Sequence, residues 1–200
     1  APRWKGLRVG LLGGTFDPPH EGHVHISEAA LKGLELDAVW WLVSPQNPLK
    51  PVGGMADYKE RFNSARNITK HNRHIYVSDI EKRLNTNYTY QTLSKLKKNY
   101  KGTNFIWLMR ADNLAGFHKW QHWQLILKLL PIIVFDRAPY SFTSLASKTY
   151  LRMRLFLLNN KQPMDNKNVP SLRFVHLKRD PNSSTALRKT LGNKAFMGHN

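Results

Sequence analysis

Gly13-Gly14-Thr15-Phe16-Asp17-Pro18-Pro19-His20-Glu21-Gly22-His23 follows directly on a short apolar run, Val9-Gly10-Leu11-Leu12. A buried strand that ends in two glycines, turns over two prolines and enters a helix at His-x-Gly-His has the geometry of a phosphate cradle. The glycines lack Cβ, so the backbone there can take positive φ and come close to a ligand. Pro18 and Pro19 fix their own φ and push the residue before each towards an extended conformation, which stiffens the turn. In the first turn of the helix that follows, the amide N–H groups have no intrahelical partners and the macrodipole is positive, so an anion is favoured. His20 and His23 are three apart and share one face of that turn, where each can donate a hydrogen bond to a phosphate oxygen. Taken alone, His-x-x-His reads more readily as two surface imidazoles or a metal pair than as a phosphate site; the glycines, prolines and preceding strand reverse that reading.

Outward from this stretch, apolar β-rich runs recur at 8–12, 38–43, 74–77, 105–109, 132–135 and 172–177. Between most of them lie stretches of helical periodicity, at 22–34, 57–69, 89–100, 120–130 and 147–158, with 184–191 after the last strand. Alternating strand and helix implies βαβ units and a parallel sheet covered on both faces, that is, a doubly wound, Rossmann-like α/β fold. Ligands in such sheets bind outside the carboxyl ends of the strands, where the strand order reverses. Gly13, Ser44 and Arg110 each follow a predicted strand, so their loops should converge on one edge. Residues 159–170, rich in Asn, Lys, Gln and Pro, read as a surface loop. No linker or internal repeat divides the chain, so 1–200 reads as a single domain.

A chain of 200 residues with 41% apolar content can bury a proper core. It has no cysteine, which removes disulfides and thiolate metal sites. The apolar segment 125–135 is broken by Lys128 and Pro131 and is too short to span a bilayer, and no signal-like segment opens the chain, so a cytoplasmic protein with no membrane partner is expected. The compositional extreme is a net charge of +18, from 31 Lys plus Arg against 13 Asp plus Glu. Polyanions are attracted to such a surface: ATP, mononucleotides, pyrophosphate or a nucleic acid.

Four stretches together resemble the nucleotidylyltransferase superfamily, relatives of the class I aminoacyl-tRNA synthetases, and within it most closely the bacterial nicotinate-nucleotide adenylyltransferases. The first is the Gly13–His23 string, in which the family's two histidines contact the phosphates of ATP. The others are Ser44-Pro45-Gln46-Asn47-Pro48-Leu49-Lys50, Tyr88-Thr89-Tyr90-Gln91-Thr92-Leu93, and Ala111-Asp112-Asn113-Leu114-Ala115-Gly116-Phe117-His118-Lys119-Trp120. Near the other end, Ser183-Ser184-Thr185-Ala186-Leu187-Arg188 is similar to the family's Ile-Ser-Ser-Thr-x-Ile-Arg, so residues 183–191 should form a C-terminal helix region. Read without the family, Ser183 to Thr185 are good N-cap residues, and an Arg188 fork about one turn on would make a second anion site. Two positions depart from the family: Arg110 stands where Gly is usual, and Asn182 where an apolar residue is usual.

The resemblance implies a nucleotidylyltransferase-type fold and adenylyl transfer from ATP to nicotinate mononucleotide, with release of pyrophosphate, in NAD biosynthesis. His20, His23 and Arg188 would be catalytic. ATP would be held by Gly13, Gly14, Thr15, Phe16, His20, His23, Ser184, Thr185 and Arg188, and nicotinate mononucleotide by Lys50, Tyr88, Thr89, Asp112 and Trp120. The attacking group is already an anionic phosphate oxygen, so positioning and charge neutralisation suffice and no general base is demanded. Mg²⁺ is expected on the phosphate oxygens of ATP and on water, with no protein metal site. Trp120 reads as a ring that stacks on nicotinate, or as core in a helical stripe with Trp123 and Leu127. His118 and His122 read as surface or supporting histidines rather than a metal pair. The rival readings are adenylyl transfer to nicotinamide mononucleotide or phosphopantetheine, and a basic nucleic-acid-binding protein that has lost the chemistry. The last is disfavoured because no aromatic-and-basic RNA module pattern appears.

Overall fold

In a computed structural model of the chain, residues 2–45, 54–136, 148–158 and 162–177 are described. The sequence-predicted positions Lys50, Ser184, Thr185 and Arg188, and the expected helix at 183–191, lie outside them.

Six strands, β1 (Arg8–Gly14), β2 (Ala38–Val43), β3 (Ile75–Ser78), β4 (Asn104–Arg110), β5 (Ile132–Asp136) and β6 (Leu172–His176), form one sheet in the order β3-β2-β1-β4-β5-β6. Every pairing in it is parallel. Between them run α1 (Glu21–Gly33), α2 (Tyr58–Thr69), α3 (Ile80–Arg83), α4 (Thr89–Asn99), α5 (Ala111–Gly116), α6 (Trp123–Leu129) and α7 (Lys148–Met153). This is the doubly wound arrangement that the alternating pattern predicts.

The two-residue period of the strands splits the core in two. Val9, Leu11, Trp40, Leu42, Phe105 and Trp107 face one side, where Leu93 and Leu96 of α4, Leu114 of α5 and Ile126 of α6 cover them. Leu12, Val39, Trp41, Ile106 and Leu108 face the other, against Ile26 and Ala30 of α1 and Ala65 of α2. Both faces are therefore buried, which is why the strands read as nearly continuous apolar runs. Among the described residues no helix is long and apolar enough to cross a membrane.

The helices depart from the sequence expectation in two ways. The helix expected over 120–130 starts at Trp123, because His122 takes a left-handed conformation (φ 54°) and Trp120 is extended with ψ 142°. Trp120 therefore shares no helical stripe with Trp123 and Leu127. Its ring instead meets Phe117 and Trp107 edge-on, with centroids 5.0 and 6.2 Å apart. The short helices α3 and α5 are too brief to show a period and were not anticipated.

The strand order reverses between β1 and β4, the neighbours on either side of the central crossover. The loop after β1 leaves the sheet there, at the carboxyl edge, where a ligand crevice opens in this class of fold.

Candidate active site

β1 ends at Gly13 and Gly14, whose register partners are Leu42 and Val43 of β2. A Cβ on Gly13 would lie 2.5 Å from the Trp107 ring, so close packing on β4 demands glycine there. The positive φ expected of the glycines falls instead on Phe16, at 49°. The Phe16 ring is buried, stacked 4.7 Å from Trp41 at 11° and set 4.9 Å from the His23 ring. Phe16 is thus the floor of the loop, and a ligand above it meets main chain. The Asp17–Pro18 peptide is cis.

His20 is the N-cap of α1, in extended backbone conformation (φ −148°, ψ 166°) and 2% exposed. Its Nδ1 accepts from the Gly22 amide at 3.1 Å, while its own amide donates to His23 Nδ1 at 3.3 Å. A backbone N–H can only donate, so both Nδ1 atoms are acceptors and each neutral ring carries its proton on Nε2. The two rings lie 3.9 Å apart, centroid to centroid. Behind them, Trp41 Nε1 donates to Ser27 Oγ at 2.8 Å, and that hydroxyl donates to the His23 carbonyl at 2.9 Å. Paired imidazoles at a helix N-terminus, each with an Nε2–H donor, suit phosphate oxygens.

The loop after β2 begins beside this one. The Ser44 amide donates to the Gly14 carbonyl at 2.9 Å, continuing the ladder one step beyond the strand. The Ser44 hydroxyl bonds the carboxyl of Glu81 in α3, a group that burial pushes up to about 7 although the Ser44 bond opposes the shift. From α2, Arg61 sends its guanidinium to the carbonyls of Thr15, Ser44, Pro45 and Ala56. Neither Glu81 nor Arg61 was singled out from the sequence. The only signal for Arg61 is that it shares the buried stripe of α2 with Ala65 and Thr69, at four-residue spacing.

Tyr88 occupies the N-cap position of α4 with an exposed side chain that makes no cap bond, and Thr89 is the first residue of that helix. Thr92 Oγ1 bonds the Tyr88 carbonyl at 3.4 Å and pairs with Thr86 Oγ1 at 2.8 Å, which steadies the turn. β4 ends at Arg110, whose Nη2 lies 2.9 Å from a carboxylate oxygen of Asp112. Arg110 therefore pairs with the acidic residue two positions on. Trp120 bridges back to the loop after β1 through Trp107, the ring beneath Gly13. His122 packs against Tyr90 at 5.1 Å. The loops after β1, β2 and β4 thus open on one edge of the sheet, as Gly13, Ser44 and Arg110 predicted.

A family model described as cytidylyltransferase-like matches residues 11–190. A protein of Cereibacter sphaeroides named "probable nicotinate-nucleotide adenylyltransferase" is 47% identical over 185 residues, covering 91% of this chain and 97% of that one. Proteins of the same name from a Ruegeria species and from Parvibaculum lavamentivorans are 45% and 41% identical, covering 92% and 94% of this chain and 97% and 94% of theirs. Among solved structures, the Plasmodium falciparum nicotinic acid mononucleotide adenylyltransferase complexed with NaAD superposes with a TM-score of 0.68 at 17% identity, covering 92% of this chain and 84% of that one. At that identity the likeness speaks for the fold, and the closer sequence relatives speak for the family. With its cytidylyltransferase-like span and its relatives matched almost end to end, this chain belongs to the nicotinate-nucleotide adenylyltransferase family of nucleotidyltransferases.

Proposed function

We infer that the chain transfers the adenylyl group of ATP to nicotinate mononucleotide, forming nicotinate adenine dinucleotide and pyrophosphate, a step of NAD biosynthesis. The observation that carries this reading is the His20–His23 pair at the start of α1, where the His20 amide donates to His23 Nδ1 and the Gly22 amide to His20 Nδ1, so that each ring carries its proton on Nε2. A 5′-phosphate oxygen of the mononucleotide attacks the α-phosphorus of ATP. The new P–O bond forms as the bond to the α,β-bridging oxygen breaks, and that oxygen takes the electron pair. Charge therefore grows on the leaving pyrophosphate, where imidazole donors and helix amides stabilise it more than in the ground state. Because both rings donate from Nε2, neither has to exchange a proton during the step.

The main chain of Gly13, Gly14, Thr15 and Phe16 lines the approach to the triphosphate, and Arg188, with Ser184 and Thr185, would share the β and γ groups. For the second substrate, the free amides at the start of α4 beside Tyr88 and Thr89 suit the pyridine carboxylate. Asp112 would hold a ribose, Trp120 would stack on the pyridine ring, and Lys50 would reach a phosphate. Mg²⁺ would arrive on the phosphate oxygens of ATP and lower their charge. Among the described residues no group of three or more His, Cys, Asp or Glu could cage a metal, and the imidazole and amide donors near the loop suit the phosphates rather than this oxygen-seeking cation.

The test offers ATP and Mg²⁺ with nicotinate mononucleotide, nicotinamide mononucleotide or phosphopantetheine in separate reactions and measures pyrophosphate. Fast release with the first alone is expected. An anionic carboxylate gains more than a carboxamide from amide donors and from a chain of net charge +18. Preferential turnover of either other acceptor would reassign the substrate.

A further inference from the structure

We propose that Arg61 is a positioning residue for the transfer, holding the phosphate loop and the loop after β2 at one fixed separation. The proposal deepens the adenylyl-transfer reading and rests on it. The parallel ladder between β1 and β2 ends at the pair Gly14 and Val43, with one last bond from the Ser44 amide to the Gly14 carbonyl. Beyond that point, among the described residues, no strand pairing holds the two segments together, yet in the proposed reaction the two substrates meet at these strand ends.

Arg61 takes over where the ladder stops. It points into the core because it lies on the same face of α2 as Ala65 and Thr69, both buried. Its Nη1 donates to the Thr15 carbonyl at 2.5 Å and to the Ser44 carbonyl at 2.9 Å, so one nitrogen bridges the two loops. Nη2 donates to the Pro45 carbonyl at 3.0 Å and Nε to the Ala56 carbonyl at 2.9 Å. Four of the five guanidinium N–H groups are thereby used.

At 2% exposure the cation cannot turn to water if one carbonyl moves away. A buried charge is tolerated only while its donors are satisfied, so the four bonds act together and penalise any drift of either loop. The planar fork is what makes this possible: a lysine ammonium radiates its donors from one point and cannot span Thr15, Ser44 and Pro45 in a fixed plane. Arg61 touches neither reacting group. It sets the relative placement of the parts that do, and misplacement by about 1 Å costs on the order of 10²-fold in rate.

The test compares wild type, Arg61→Lys and Arg61→Gln by steady-state kinetics with both substrates varied, by calorimetric titration with ATP, and by thermal melts that establish folding at the assay temperature. Both variants should be folded there, with kcat down by about 30- to 100-fold and the ATP Kd within about threefold of wild type. Lys should rescue little more than Gln, since geometry rather than charge is at stake. A kcat for Arg61→Lys within about twofold of wild type overturns the proposal, as does a loss that falls on ATP affinity instead of kcat. If neither variant folds, Arg61 is a folding determinant and the positioning role is likewise rejected. A wild type that does not turn over nicotinate mononucleotide removes the function and this inference with it, whereas an active wild type matched by Arg61→Lys removes the inference alone.

Discussion

Glu81 in α3 bonds the hydroxyl of Ser44, the first residue past β2, so a buried carboxyl closes the floor beside the loop that Arg61 pins. Burial raises this group from 4.5 to about 7, meaning that the folded state binds its proton more tightly than the unfolded chain does. Below pH 4.5 the carboxyl is protonated in both states and carries no penalty. Between 4.5 and 7 the unfolded chain loses the proton first, so the contribution of Glu81 to stability falls with rising pH and levels off above 7.

Glu81→Gln, which cannot ionise, should remove that dependence. Relative to wild type, the variant should gain stability between pH 5 and pH 8, by on the order of 3 kcal/mol at most. Urea melts of both proteins at several pH values measure this. A difference between them that is constant across the range would contradict it.

The ion pair between Arg110 and Asp112 is partly exposed, with side chains 24% and 47% accessible, so solvent screens it and it is worth little, about 0–1 kcal/mol. A ribose that hydrogen-bonds Asp112 can displace it. Arg110→Gly should therefore change the KM for nicotinate mononucleotide by less than about fivefold, whereas Asp112→Ala should raise it by about tenfold or more. Steady-state kinetics of the two variants decide the point, and the reverse ranking would move the ribose contact away from Asp112.

Gly13 touches Trp107 so closely that a methyl group has no room, since its nearest ring atom would be 2.5 Å away. Gly13→Ala should cost about 1–3 kcal/mol in stability through overpacking. Because Trp107 also meets Trp120, the displaced ring should weaken nicotinate mononucleotide binding along with phosphate-loop geometry. Melting curves and KM values for both substrates test this; an unchanged melting temperature would show that the ring yields without strain.

How far these features could be read in advance follows from their range along the chain. The strands were legible to within a few residues, because burial on both faces leaves long apolar runs such as Val9 to Leu12 and Phe105 to Met109. The convergence of the loops on one sheet edge was legible too, since the motif residues Gly13, Ser44 and Arg110 sit at the carboxyl ends of parallel strands. The start of α6 was not, because the left-handed turn at His122 follows from packing around Trp120 rather than from any local Gly or Pro. Positive φ fell on Phe16 instead of the glycines because stacking on Trp41 holds that ring under the loop. Arg61 and Glu81 carry no local signal, because their partners lie 46 and 37 positions away, at Thr15 and Ser44, and a lone charged residue usually reads as solvated.

At the centre of the proposed transfer are two imidazoles presenting Nε2–H donors to the phosphates of ATP. His20→Asn tests it most directly, because Asn is a good N-cap whose side-chain oxygen can replace Nδ1 in accepting from Gly22 while nothing replaces Nε2. Pyrophosphate release from ATP and nicotinate mononucleotide should fall by about two orders of magnitude in His20→Asn and in His23→Ala, with His20→Asn melting near the wild-type temperature. Wild-type rates in both variants would contradict the assignment.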